Sequence, residues 1–200
     1  MLRHEIAGEC YTHQHLWNCA KALLAQPATQ SPKDGYFQMA GMLMAYFTFE
    51  AYLNLVGPRI DREAWKNERI FFNTPPYRGT PGKLKRICEK LGIHVEAGKR
   101  PYQTLRELRR LRDSLAHGRS QSYGYSLLAR EGQRPDLFRG LTIYNSITRR
   151  KAERALKDTE EFIEFLHAKI NQKTPRDDIP FKGKALEFPL AWATGVARRP

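Results

Sequence analysis

Along most of this chain the apolar residues recur at spacings of three and four rather than alternating, which predicts helices and little sheet. The first helix is expected from about Glu5 to Ala25, stopping at Gln26-Pro27, where the polar loop PATQSPKDG begins. A second is expected from Tyr36 to Val56, with Gly57-Pro58 as its stop, because glycine accepts a left-handed cap and proline cannot continue a helix. Residues 59 to 80 lack a sustained period; a short helix is expected around Arg62 to Phe71, and TPPYRGTPG is a loop. Pro81 suits the first turn of a third helix through Leu91, which Gly92 closes. Pro101 does the same for a fourth, with Leu105, Leu108, Leu111 and Leu115 as its apolar stripe and Gly118 at its end. Residues 118 to 147 are weakly periodic and are expected to form a long loop with room for a short hairpin. The last long helix is expected from Arg149 to Asn171, carried by Ala152, Ala155, Leu156, Thr159, Ile163, Leu166 and Ile170.

These elements predict an all-α bundle of about five helices in a domain spanning 1–172, followed by an irregular extension over 173–200. That extension either drapes on the domain or binds a partner. The stretch FQMAGMLMAYFTFEAYLNLVG, residues 37 to 57, is long enough to cross a bilayer. Glu50 and Asn54 lie inside it and no second span follows, so a central helix of a soluble bundle is the expectation, with no membrane partner.

Charge adds what periodicity cannot. A net charge of +13 and a pI near 9.9 either attract polyanions, of which nucleic acid is the commonest in a cell, or serve only general solubility. A hydrophobic content of 41% still supports a packed core, and an aromatic content of 11% argues against disorder. The three cysteines, Cys10, Cys19 and Cys88, cannot all pair, and they read as reduced thiols. The opening MLRHEIAGEC lacks the apolar core of a signal peptide, which adds to the expectation of a cytoplasmic protein.

Several familiar chemistries find no support. In CYTHQHLWNC the ligand types Cys10, His13, His15 and Cys19 are close in sequence, but on one helix His13 and His15 point about 200° apart. A tetrahedral metal site would need that helix broken, so core or surface roles are expected, with no metal. No G-x-x-x-x-G-K-[ST], G-x-S-x-G or H-E-x-x-H occurs, and GTPGKLKR lacks both the glycine spacing and the preceding strand of a phosphate loop.

The segment LRRLRDSLAHGRS, residues 108 to 120, carries more. It ends a leucine-striped helix in an arginine, a polar residue, a histidine with four residues between it and Arg112, and a glycine. At this point LRDSLAHG resembles the signature of the HEPN superfamily, an arginine and a histidine separated by four to six residues. YFTFEAYLNLVG resembles that family's second helix, with an acidic residue in an apolar run. PGKLKRICEKLGI followed by YQTLRELRRLRDSLAHG matches the order of elements in many members, and the likeness spans roughly residues 10 to 172. It implies a helical domain that commonly homodimerises and brings two motifs together across a cleft. Many members are metal-independent endoribonucleases without cofactors, often toxins or phage-defence effectors. Others have lost catalysis and bind RNA, nucleotides or proteins, which leaves room for an inhibitory or regulatory protein partner.

The residue types fit that chemistry. Cleaving RNA without metal needs one group to take the ribose 2′-hydroxyl proton and another to stabilise the crowded phosphate. The imidazole of His117 is a group that can take and give a proton, and Arg112 offers a permanent charge and a planar fork of donors. Asp113 stands where the family often has asparagine and is a supporting candidate. Arg112 and His117 lie about 140° apart around an ideal helix, whereas Arg110 and His117 share a face, so Arg110 is a candidate for binding substrate. The ordinary alternative is a structural or solvated Arg and His. Glu50, on the apolar face of the second helix, either holds Arg112 or His117, or is an exposed edge residue or bonds another basic group. Arg119, Tyr123 and Tyr125 in the following loop, and Arg149, Arg150 and Lys151 opening the last helix, are further RNA-binding candidates, against ordinary solvated charges and loop aromatics.

Overall fold

Tyr52, Leu53 and Val56 recur at helical spacing and are each 1% exposed or less, so the helix that carries them runs through the middle of the protein. In the computed structural model, residues 3–29, 32–118, 126, 147–173, 183–187 and 191–198 are described. They form β1 (Arg3–Cys10), α1 (Thr12–Leu24), α2 (Pro32–Ile60), α3 (Arg62–Lys66), α4 (Glu68–Phe71), α5 (Gly79–Leu91), α6 (Tyr102–Ala116), α7 (Arg149–Lys173) and β2 (Ala191–Arg198). The protein is mostly helical, as the periodicity predicts. One face of α2 packs on Trp17, Ala20 and Leu24 of α1, and another on α7 through Phe162, Ile163, Leu166 and Ile170. By length and composition α2 is apolar enough to cross a membrane, yet half of its most apolar stretch is buried inside the protein.

The first helix does not begin at Glu5. Arg3–Cys10 is a strand, paired antiparallel with Ala191–Arg198 in a register from Arg3 opposite Arg198 to Cys10 opposite Ala191. Its hydrogen-bond partner lies at the far end of the chain, which local spacing cannot reveal. The same pairing corrects the expectation of an irregular extension, because residues 191–198 are extended and hydrogen-bonded. Between α7 and β2, Ala185 and Leu186 are buried, and their backbone N–H groups donate to the Glu164 carboxylate at 3.1 Å each. Ala185 O accepts from Gln14 Nε2 at 2.5 Å and from His13 Nε2 at 3.1 Å. This part of the extension is fastened to α1 and α7. The expected loop or hairpin between 118 and 147 lies almost wholly outside the described residues.

Gly57-Pro58 does not stop α2, which runs on to Ile60. Pro58 removes one donor only a few residues from the end, where few intrahelical bonds remain to be lost. Gly57 serves packing instead: a Cβ placed there would meet the Trp65 ring at 2.0 Å. Helix α3 then starts on Asp61, whose carboxylate caps Ala64 N at 3.3 Å and takes Arg86 Nε of α5 at 2.6 Å. Helix α5 begins two residues before Pro81 and ends where expected, on Gly92 in the left-handed region at φ 57°.

Helix α6 is set between α2 and α7 by Leu105 and Leu108, both 1% exposed. Its start is locked to α7: buried Asp158 accepts Arg100 Nε at 2.7 Å and Nη2 at 2.6 Å, and a third bond from Thr104 Oγ1. These donors hold the Asp158 carboxyl below its usual range against the opposing effect of burial. Leu111 and Leu115 are only half-buried, so the leucine stripe leaves the core as α6 approaches its C-terminus. The last turn of α6 is thereby exposed while its first two turns are fixed.

Candidate active site

Arg112 projects from this emerging turn toward α2. Its Nη2 donates to Glu50 Oε1 at 3.0 Å and its Nη1 to Asp113 Oδ1 at 2.8 Å. The guanidinium lies over the Tyr46 ring, 5.9 Å from the centroid. Tyr46 and Glu50 are four apart on α2 and so present ring and carboxylate on one face. Glu50 also accepts from Thr80 Oγ1 at 2.5 Å, which fixes the carboxylate from the first turn of α5. Partial burial disfavours the charge on Arg112, but Glu50 and Asp113 outweigh it and raise its pKa above the ordinary guanidinium value. Burial, and then the Glu50 charge, push the Tyr46 hydroxyl well up, so the phenol stays neutral.

Asp113 is shared. One oxygen takes Arg112 and the other faces Arg109 Nε at 3.5 Å, one helical turn back. His117 caps α6, with its backbone N–H bonded to Asp113 O at 3.0 Å, and its ring is exposed. Among the described residues no hydrogen bond joins His117 to Arg112. The structure therefore brings Arg112, Asp113 and Glu50 together and sets His117 one turn further on.

Two clefts flank this cluster. One, of about 370 Å³, lies between α2, α5 and the face of α6 carrying Arg106, Arg109 and Arg110. The other, of about 410 Å³, is lined by Glu50, Arg112, Lys83 and Arg69 among others. Arg110 is exposed and contributes to the first cleft, Arg112 to the second.

The remaining candidates separate. Arg149 donates to Glu153 at 2.7 Å and to Gln26 O at 3.2 Å, tying the start of α7 to the turn that follows α1. Arg150 is exposed, and the Lys151 N–H bonds Thr148 Oγ1 at 3.3 Å as part of an N-cap. Arg119, Tyr123 and Tyr125 lie outside the described residues. Cys10, His13, His15 and Cys19 do not converge: His13 is buried against Ala185 and the other three are exposed. No group of three or more His, Cys, Asp and Glu suited to a metal occurs among the described residues. The three cysteines are free, and burial pushes the Cys88 thiol up to about 11.

Sequence reasoning passed over Tyr46, Thr80, Arg106 and Arg109. Tyr46 and Arg109 had a signal, each lying four residues before a singled-out carboxylate, Glu50 and Asp113. Thr80 had none, because its bond to Glu50 crosses from α5 to α2. Compared with models of protein families, with curated proteins and with solved structures, the chain matches none.

Proposed function

We propose that this chain is a HEPN-type endoribonuclease that cuts single-stranded RNA without a metal, at a site completed by homodimerisation. The observation that carries the reading is the Glu50–Arg112 pair: an arginine anchored at 3.0 Å on a cleft wall, with the exposed His117 one turn beyond it. Arg112 binds the non-bridging oxygens of the scissile phosphate, and His117 takes the proton of the adjacent 2′-hydroxyl. The 2′-oxygen then attacks phosphorus, the P–O5′ bond breaks, and the 5′-oxygen leaves with a proton from the partner site. Glu50 is a positioning residue that aims Arg112. The net charge of +13 supplies the attraction that collects the strand.

One observation favours a second reading. Arg112 already donates to two carboxylates, so a phosphate must share it with Glu50 and Asp113. A binding module that holds RNA without cutting it tolerates that arrangement better than an enzyme does. Arg112→Ala and His117→Ala proteins, folded and assembled as the parent, decide between the two. Loss of cleavage in both supports the enzyme. Salt-sensitive RNA binding with no cleavage by the parent protein supports the module, and undiminished cleavage by both variants discards the assignment.

A further inference from the structure

The cleft between α2, α5 and α6 is separate from the pair that the proposed chemistry uses. Three features set it apart from an ordinary surface groove. Its floor is aromatic, with Tyr46 and Phe49 from α2 and Tyr102 from α6. Its rim carries Arg106, Arg109 and Arg110, spaced so that two adjacent turns of α6 present cations to the opening. The only carboxylate among its described lining residues, Asp113, is already shared between Arg112 and Arg109. The volume of about 370 Å³ falls in the range of small-ligand sites.

The ligand that matches an aromatic floor and a cationic rim is flat at one end and anionic at the other. The Tyr102 ring is itself fixed, stacked on Phe162 with centroids 5.3 Å apart, so it meets a ligand in a set orientation. Arg106 is held in place by a bond from Nη1 to Ala97 O at 2.8 Å. Arg110 is exposed and makes no bond among the described residues, leaving its whole donor fork for a phosphate.

We propose that this cleft takes one nucleotide, its base against Tyr46, Phe49 and Tyr102 and its phosphate against Arg106, Arg109 and Arg110. The inference rests on the ribonuclease reading only in making an RNA strand the source of that nucleotide. In a strand, it is an unpaired residue beside the phosphate that Arg112 holds, so the cleft selects a flexible, unstacked site for cutting. A base-paired residue cannot enter, because its face and edge are already engaged.

The test uses the full-length His117→Ala protein, which retains the cleft and leaves a strand intact. Calorimetry is run with the four nucleoside monophosphates, with ribose 5-phosphate, and with a short unstructured oligoribonucleotide in competition. At least one nucleoside monophosphate is expected to bind about tenfold more tightly than ribose 5-phosphate. Arg106→Gln and Arg110→Gln, both at exposed positions, are each expected to weaken it about tenfold. The nucleotide is expected to displace the oligonucleotide. Absence of nucleotide binding, equal binding of ribose 5-phosphate, or indifference to both arginine substitutions overturns the site. A nucleotide that binds but leaves the oligonucleotide in place overturns the strand as its source. Cleavage by the parent protein is scored separately, so failure of the ribonuclease reading leaves a distinct signature.

Discussion

Glu50 carries most of the geometry around Arg112. With side chains 20% and 33% exposed, the two are dry enough for the charge to matter and wet enough to avoid a large desolvation cost. If Glu50 aims Arg112, its loss should act on turnover more than on binding. Glu50→Gln is expected to lower kcat about tenfold with KM unchanged or reduced, since a negative charge leaves the phosphate site. A merely structural Glu50 would instead lower the melting temperature and leave kcat per folded molecule intact. His13 sets a different kind of dependence. Burial is the main cause that lowers its pKa from 6.5 to about 4, while its bond to Ala185 O opposes the shift. The unfolded chain therefore binds this proton at a higher pH than the folded one. Stability is full above pH 6.5, falls as the pH drops toward 4, and loses about 3 kcal/mol from this group. Urea titrations between pH 7 and 4 should show that slope, flattened in His13→Gln, which keeps a donor for Ala185 O. At this scale the sequence pointed to Arg112, His117 and Glu50 as residue types suited to the chemistry. It could not show that Glu50 also binds Thr80, nor that the alternative arginine, Arg110, faces a separate cleft.

At the scale of elements, the last helix was the most legible, because Ala152, Ala155, Ile163, Leu166 and Ile170 all report burial on one face. Helix α5 was legible at its end, where Gly92 is the left-handed cap that its position suggests. The misreadings share one physical origin. Gly57-Pro58 looks like a stop in one dimension, yet its glycine admits an indole from α3, and Pro58 is close enough to the end to be tolerated. The strand Arg3–Cys10 was invisible because its partner, Ala191–Arg198, lies at the other end of the chain. Gly57 gives a direct check. In an isolated helix Gly→Ala stabilises by about 1 kcal/mol. Here the added methyl would sit 2.0 Å from the Trp65 ring, and the overlap costs about 1–3 kcal/mol before that gain. Gly57→Ala is therefore expected to lower the urea midpoint, and a rise would show that α3 does not pack on α2 as described.

For the whole molecule, the mostly helical class follows from the spacing of apolar residues, and Glu50 and Asn54 inside the apolar run pointed to the central place of α2. The fastening of residues 183–187 onto α1 and α7 does not follow, since it depends on backbone bonds to Glu164, His13 and Gln14. The net charge bears on function rather than on fold: it draws in polyanions but chooses no chemistry among them. The chemistry proposed for Arg112 and His117 is identified by the products it would leave. Attack by the 2′-hydroxyl must leave a 2′,3′-cyclic phosphate on one fragment and a 5′-hydroxyl on the other. The most direct measurement is therefore end analysis of a labelled single-stranded RNA incubated with the protein in excess chelator, alongside Arg112→Ala and His117→Ala. Cyclic-phosphate ends from the parent protein and intact RNA from both variants are the predicted result. Fragments ending in 3′-hydroxyls, loss of cutting in chelator, or equal cutting by the variants would contradict it.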